Sequence, residues 1–208
     1  RGELPEEADQ EAVLLSVGLA VVIVPGREVI FYREAVDARE VRTRDAMPSV
    51  ATYVADYEDP VHAKAVVDLL DGYARDPYGN SGPLPDEVYA SLCPTLAKTP
   101  GAFSVVATVD GVAAGLINCF QGFSTFKCKP LINVHDVFVH PDHRRAGLVQ
   151  AMMAVVEDVA KERGACKLTL EVLSNNAPAK GSYAKFGFKN YELDPAQGHA
   201  EFWEKTFR

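Results

Sequence analysis

From Asp59 to Pro77 the apolar residues Val61, Ala65, Leu69 and Tyr73 return at every fourth position. That spacing predicts a helix, with Asp59 as its N-cap and Pro60 at its first position. A Gly/Pro-rich loop (YGNSGPLP) follows, then a short helix near Pro85 to Leu96. AFSVVATVDGVAAGLINCF predicts a hairpin that turns at Asp110-Gly111, and LINVHDVFV predicts a further strand. Ala146 to Arg163 carries Leu148, Met152, Val155, Val156 and Val159 on one helical face, and Gly164 ends it. In CKLTLEVL, Leu168, Leu170 and Val172 alternate with Lys167, Thr169 and Glu171, the pattern of a strand. Asn176 to Phe186 reads as a short helix closed by Gly187, and NYELD and AEFWEKTF read as two final strands. This order implies an α/β (α+β) protein with a mixed sheet covered by helices on both faces.

The first fifty residues follow another pattern. Val21–Val24 and Val29–Tyr32 predict two strands about the turn at Pro25-Gly26, while Arg33 to Asp45 is charged and has no apolar face. Residues 1–50 are therefore expected to be an extension that pairs at a sheet edge or in a homodimer, with 51–208 as one domain.

Composition narrows the choice. The chain has 208 residues, 48% hydrophobic and 24% charged, enough for an ordinary globular core. A net charge of −8 argues against nucleic acid as a partner; it suits a cationic amine, and it suits plain solubility equally well. Cys93, Cys119, Cys128 and Cys166 form no CxxC pair and no zinc-ligand spacing, so no metal is expected. They read as reduced core residues of a cytoplasmic protein, or of an organellar matrix protein if the start at Arg1 reflects processing. The apolar run Ala12 to Pro25 is 14 residues long, short of the roughly 20 that span a bilayer. It also lacks the basic segment of a signal peptide.

The stretch VFVHPDHRRAGLVQAMM (137–153) holds the candidate chemistry. A strand ends at Val139-His140-Pro141, a basic pair follows at Arg144 and Arg145, and Ala146-Gly147 opens a helix. The first helical turn offers free N–H groups and a positive dipole end, a ready anion site, and Gly147 allows close approach to the backbone. A pyrophosphate fits these features; so does an ordinary turn with solvated arginines. Downstream lie Asn176-Ala177-Pro178-Ala179, then Tyr183, Lys185, Gly187 and Phe188. Together and in this order, the two blocks resemble the GCN5-related N-acetyltransferase (GNAT) family. They correspond to its V-x-P strand end with Arg/Gln-x-x-Gly-x-Gly/Ala and to its later N-A-x-x-x-x-x-Y-x-K-x-G-F pattern. This chain departs from the first block at Val149, whose branched side chain is expected to crowd the loop.

The resemblance implies a mostly antiparallel sheet of the acyl-CoA N-acyltransferase type. It implies transfer of an acetyl group from acetyl-coenzyme A to a primary amine of a small molecule, amino acid or peptide, by direct attack. Val137, Phe138 and Val139 would run beside the pantetheine arm. Arg144, Arg145, Ala146, Gly147, Leu148, Val149 and Asn176 would hold the cofactor, and the Tyr183 hydroxyl would donate to the leaving sulfur. The base would come from the preceding strand. His135 is the first candidate, because its intrinsic pKa of about 6.5 suits the task, and Asp136 is the second. Strand alternation puts Asn133 and His135 on one face and Asp136 on the other. Tyr57, Tyr73, Asp76, Phe123 and Ser124 are candidates for the acceptor pocket, since acids and aromatics suit an amine. A non-catalytic module that keeps the fold and docks to a partner is the competing reading.

Overall fold

The computed structural model describes residues 19–24, 27–32, 48–79, 82–191, 196 and 201–207. Five strands form the main sheet in the order β3 (Val50–Val54), β4 (Phe103–Val109), β5 (Val112–Ser124), β6 (Lys129–Val139), β7 (Leu168–Leu170). All neighbours are antiparallel except β6 and β7, which run parallel. Helices α1 (Pro60–Ala74) and α2 (Asp86–Leu96) connect β3 to β4. Helix α3 (Leu148–Glu162) joins β6 to β7, and α4 (Ala177–Phe186) follows β7.

The elements form where side-chain chemistry favours them. Asp59 Oδ1 accepts from the amides of Val61 and His62, so the expected cap of α1 is in place. The β4–β5 hairpin turns through Asp110 (φ 50°) and Gly111 (φ 78°), the double left-handed turn that matches strand twist. Two apolar layers sandwich the sheet. On one face, Val66, Val67 and Leu69 of α1 pack on Val106, Leu116 and Phe138. On the other, Met152, Met153 and Val156 of α3 pack on Val105, Ile117, Ile132 and Val134. Helices thus lie on both faces, as expected. No helix among the described residues is long and apolar enough to cross a membrane.

Four expectations need correction. Strand β3 was not expected; it is an edge strand whose Val50 and Val54 are exposed, so its apolar alternation is faint. Its Val50 pairs with Val109, and Ser49 exchanges hydrogen bonds with Asp110, so the main unit begins before residue 51. CKLTLEVL keeps only Leu168–Leu170 as strand, because β6 offers a partner no further than Val134. The final two strands do not form among the described residues: none of residues 190, 191 and 201–207 is in a strand, and Phe202, Trp203 and Phe207 are exposed. A strand pattern supplies propensity, but the strand itself needs a partner edge. The extension's strands β1 (Leu19–Val24) and β2 (Arg27–Tyr32) pair antiparallel with each other in a sheet of their own, not at the edge of the main one. The charged stretch 33–45 lies outside the described residues.

Helix α1 approaches β6 closely at Gly72, where an added Cβ would lie 2.9 Å from Phe138 Cε1 and Cζ. Gly72→Ala gains about 1 kcal/mol of helix propensity. It must also displace a ring that is 5% exposed, at a cost of about 1–3 kcal/mol. We expect a lower melting temperature in thermal denaturation. An unchanged or higher value would show that the Phe138 ring yields freely.

Candidate active site

The site begins with one extra residue. Between β5 and β6 the pairing passes from Asn118↔Asp136 to Cys119↔Val134, which leaves His135 without a partner. This is a β-bulge, and it resets the alternation of side chains. Before it, Ile132 and Val134 face α3; after it, Val137 and Val139 pack on that layer and Phe138 on the α1 layer. His135 and Asp136 therefore lie on the same side, not on opposite faces as unbroken alternation requires. His135 meets the Phe120 ring edge-on at a centroid distance of 5.3 Å, and Phe120 packs on the α1 layer. Asp136 accepts from Asn118 Nδ2 at 3.0 Å. Its charge helps push up the phenol pKa of Tyr73 on α1, after burial as the main cause.

Beside the bulge the sheet opens. Strand β7 pairs with β6 only at Ile132, Asn133 and Val134. Beyond them β6 continues to Val139, bonded to β5 alone. The His140 amide donates to Ala114 O on the β5 side, so by alternation the N–H and C=O groups of Val137 and Val139 face the opening. The Phe138 side chain is buried beneath Tyr73, ring centroids 6.4 Å apart.

The loop above the opening ends in a helix whose N-terminus no side chain caps. Arg145 (φ 67°) and Gly147 (φ 81°) are left-handed, and a Cβ on Gly147 would meet no atom within 4 Å. Arg145, Ala146 and Gly147 are exposed, while Leu148 is buried. Val149 is partly buried and packs against the α3 core layer. Arg144 is held from two sides: Nε donates to Val139 O at 3.2 Å, and a terminal nitrogen pairs with Asp76 at 2.5 Å. Asp76 is thereby joined to the loop.

Helix α4 supplies the far wall. Asn176 Oδ1 caps it by accepting from the Ala179 amide at 3.2 Å, and Gln150 of α3 donates to Ser182 O at 2.9 Å. Tyr183 packs partly against the α3 layer, 6.0 Å from the Phe188 ring. Burial pushes its phenol up to about 12, with a smaller push from Tyr73. Tyr73 belongs to the α1 layer and Tyr183 to the α3 layer. The two rings thus belong to opposite faces of the sheet. Tyr57 bonds to Ser104, at 2.8 Å. Phe123 and Ser124 are not brought in. They pair with Pro130 and Lys129, five and six strand positions from Asn118, about 16–20 Å at the usual rise. Two residues on the α1 side, Ser104 and Asn118, escaped sequence reasoning. Their signal was a polar residue with apolar neighbours on both sides, in Phe103-Ser104-Val105 and Ile117-Asn118-Cys119.

Residues 65–188 match the acetyltransferase (GNAT) family. The chain belongs to that family. A streptothricin acetyltransferase from Streptomyces lavendulae is 37% identical over 92 residues, 44% of this chain and 47% of that one. The match thus spans about half the length of that relative. A putative [ribosomal protein bS18]-alanine N-acetyltransferase from Bacillus subtilis is 27% identical over 114 residues, 52% of this chain and 72% of that one. Among solved structures, an aminoglycoside N-acetyltransferase in complex with CoA superposes with a TM-score of 0.61 over 77% of this chain and 97% of that one, at 16% identity. At that identity the likeness speaks for the fold alone.

A phenol pushed up to about 12 keeps its proton at neutral and mildly alkaline pH. With ring-labelled tyrosine, the NMR resonance that Tyr183→Phe deletes should stay unshifted to about pH 11, above the usual tyrosine range. Titration of that resonance at or below about pH 10 would show that the phenol is not held in a buried site.

Proposed function

We propose that this chain is an acetyl-coenzyme A-dependent N-acetyltransferase acting on a primary amine, with residues from β3 onward as the catalytic domain. The observation that carries the reading is the opening between β6 and β7. Asp136 sits at the bulge just before it, the outward backbone of Val137 and Val139 borders it, and an uncapped helix N-terminus follows the strand end.

The residues present fit the cofactor. Free space over Gly147 and the uncapped helix end suit a pyrophosphate. The exposed Arg145 adds charge there, whereas Arg144 is already neutralised by Asp76. The open-facing backbone of Val137 and Val139 suits the pantetheine amides. When bound, acetyl-coenzyme A supplies an activated acetyl group and a sulfur leaving group. Asp136 Oδ2 is held by Asn118, which leaves Oδ1 to take the proton of the acceptor's ammonium. The Tyr183 hydroxyl holds a proton for the sulfur. Geometry shifts the preference for the base from His135, which is exposed at the bulge, to Asp136. For the acceptor, the relatives' names suggest an antibiotic amine or a protein N-terminal alanine, and the net charge of −8 favours a cation.

Thiol release from acetyl-coenzyme A, measured across a panel of antibiotic amines and alanine-terminated peptides, tests the reaction. Release that depends on none of these amines would count against it. Gly147→Ala adds a Cβ in open space at a strain cost of about 1 kcal/mol. Calorimetry should show cofactor affinity about tenfold weaker with a small change in melting. Equal affinity would take the loop out of the cofactor site. The proton acceptor separates by variant. The acidic limb of the kcat/KM profile should vanish in Asp136→Asn and persist in His135→Gln. The reverse result would return the role to His135.

A further inference from the structure

Three polar residues stand in a row across the sheet. Ser104 on β4 pairs with Asn118 on β5, and Asn118 pairs with Asp136 on β6. The row is hydrogen-bonded end to end, and each bond fixes the next. Ser104 Oγ donates to Asn118 Oδ1 at 2.6 Å. A serine has one proton to give, so in the 2.8 Å contact with Tyr57 the phenol is the donor. With Oδ1 committed to Ser104, the amide nitrogen of Asn118 must face Asp136. Every proton in the chain points toward the Asp136 carboxylate.

Ser104 is 0% and Asn118 3% exposed, so water cannot replace a missing partner. Low local polarity makes such a chain both directional and costly to interrupt. The bulge decides which residue it serves. Continuing the Cys119↔Val134 register by one step would place His135 opposite Asn118; the extra residue puts Asp136 there instead.

We infer that Asn118 is a positioning residue for Asp136, held in its working orientation by Ser104 and Tyr57. The inference rests on reading Asp136 as the amine's proton acceptor. The chain orients the carboxylate and does not conduct. A carboxamide nitrogen donates hydrogen bonds but has no lone pair with which to accept and pass on a proton. The proton taken by Asp136 therefore leaves through the opening. Other titratable groups within influence of Asp136 are Tyr73 of α1 and Cys119 of β5, with His135 adjacent in sequence. Asp76, paired with Arg144, acts on Tyr73 in turn. None of these groups is touched by the variants below.

The test is the pH profile of kcat/KM for Asn118→Ala, with acetyl-coenzyme A and an amine that the enzyme accepts. Loss of a hydrogen bond to the charged form raises a carboxyl pKa. The acidic limb should move up by about one unit, and kcat should fall about tenfold while the KM for acetyl-coenzyme A holds. Ser104→Ala should move the limb the same way by less, because Asn118 keeps its donor. In an Asp136→Asn background, Asn118→Ala should have no further effect on kcat; an additive loss would mark a merely structural role and overturn the inference. An unmoved limb in Asn118→Ala, in an enzyme whose limb Asp136→Asn abolishes, overturns the inference alone. A limb that survives Asp136→Asn overturns the reading beneath it as well. If Asn118→Ala does not fold, an unmoved limb in Ser104→Ala decides against the inference and a raised one supports it.

Discussion

Strand β6 is bonded to β5 along almost its whole length and to β7 over three residues only. A backbone polar group kept from both water and a partner costs more than a typical hydrogen bond contributes. Beyond Val134, the outward groups of Val137 and Val139 must therefore meet solvent, a side chain or a ligand. Arg144 Nε satisfies one of them, at Val139 O. The rest face an edge that β7 leaves uncovered. The divergence of β6 and β7 is thus the condition for everything else in the site.

Charge at the mouth of the opening is arranged more sparingly than a basic pair implies. Asp76 neutralises Arg144 and ties the end of α1 to the loop. That leaves the helix N-terminus and Arg145 as the positive features of the loop. The Asp76 carboxylate is nearly buried while Arg144 is about half exposed, and the pair holds Arg144 against Val139 O and so fixes the loop on the strand end. Asp76 thereby belongs to the loop's ion pair, although its residue type first suggested a role in binding an amine.

What the sequence made legible follows from the range of the forces involved. Helices α1 and α3 and the β4–β5 hairpin rest on local periodicity, caps and the Asp110-Gly111 turn, all of which can be read along the chain. The glycine loop and the Tyr183 helix were legible as motifs, since the N-terminus of a helix creates its own field. What could not be read depends on partners distant in sequence. Strand β3 exists because β4 offers an edge to Val50–Val54. Residues 201–207 carry a strand pattern and form none, because no edge receives them among the described residues. The bulge at His135 is a mismatch between two strands, and neither strand alone records it. It places Asp136 on the same side as His135, where unbroken alternation puts the two on opposite faces.

Stability alone does not account for the polar row under β6. Ser104 and Asn118 sit among Val106, Leu116 and Phe138, where apolar side chains of similar volume would pack with no polar group to satisfy. Burying hydroxyl and amide groups is at best close to neutral when every bond is made, and it is costly when one is lost. Here every bond is made, and among the described residues no buried side-chain nitrogen or oxygen lacks a partner. A fully satisfied row of this kind adds direction more than stability. It holds one carboxylate by one oxygen and leaves the other free. An apolar core could stabilise the sheet as well, but it could not hold Asp136 in that way.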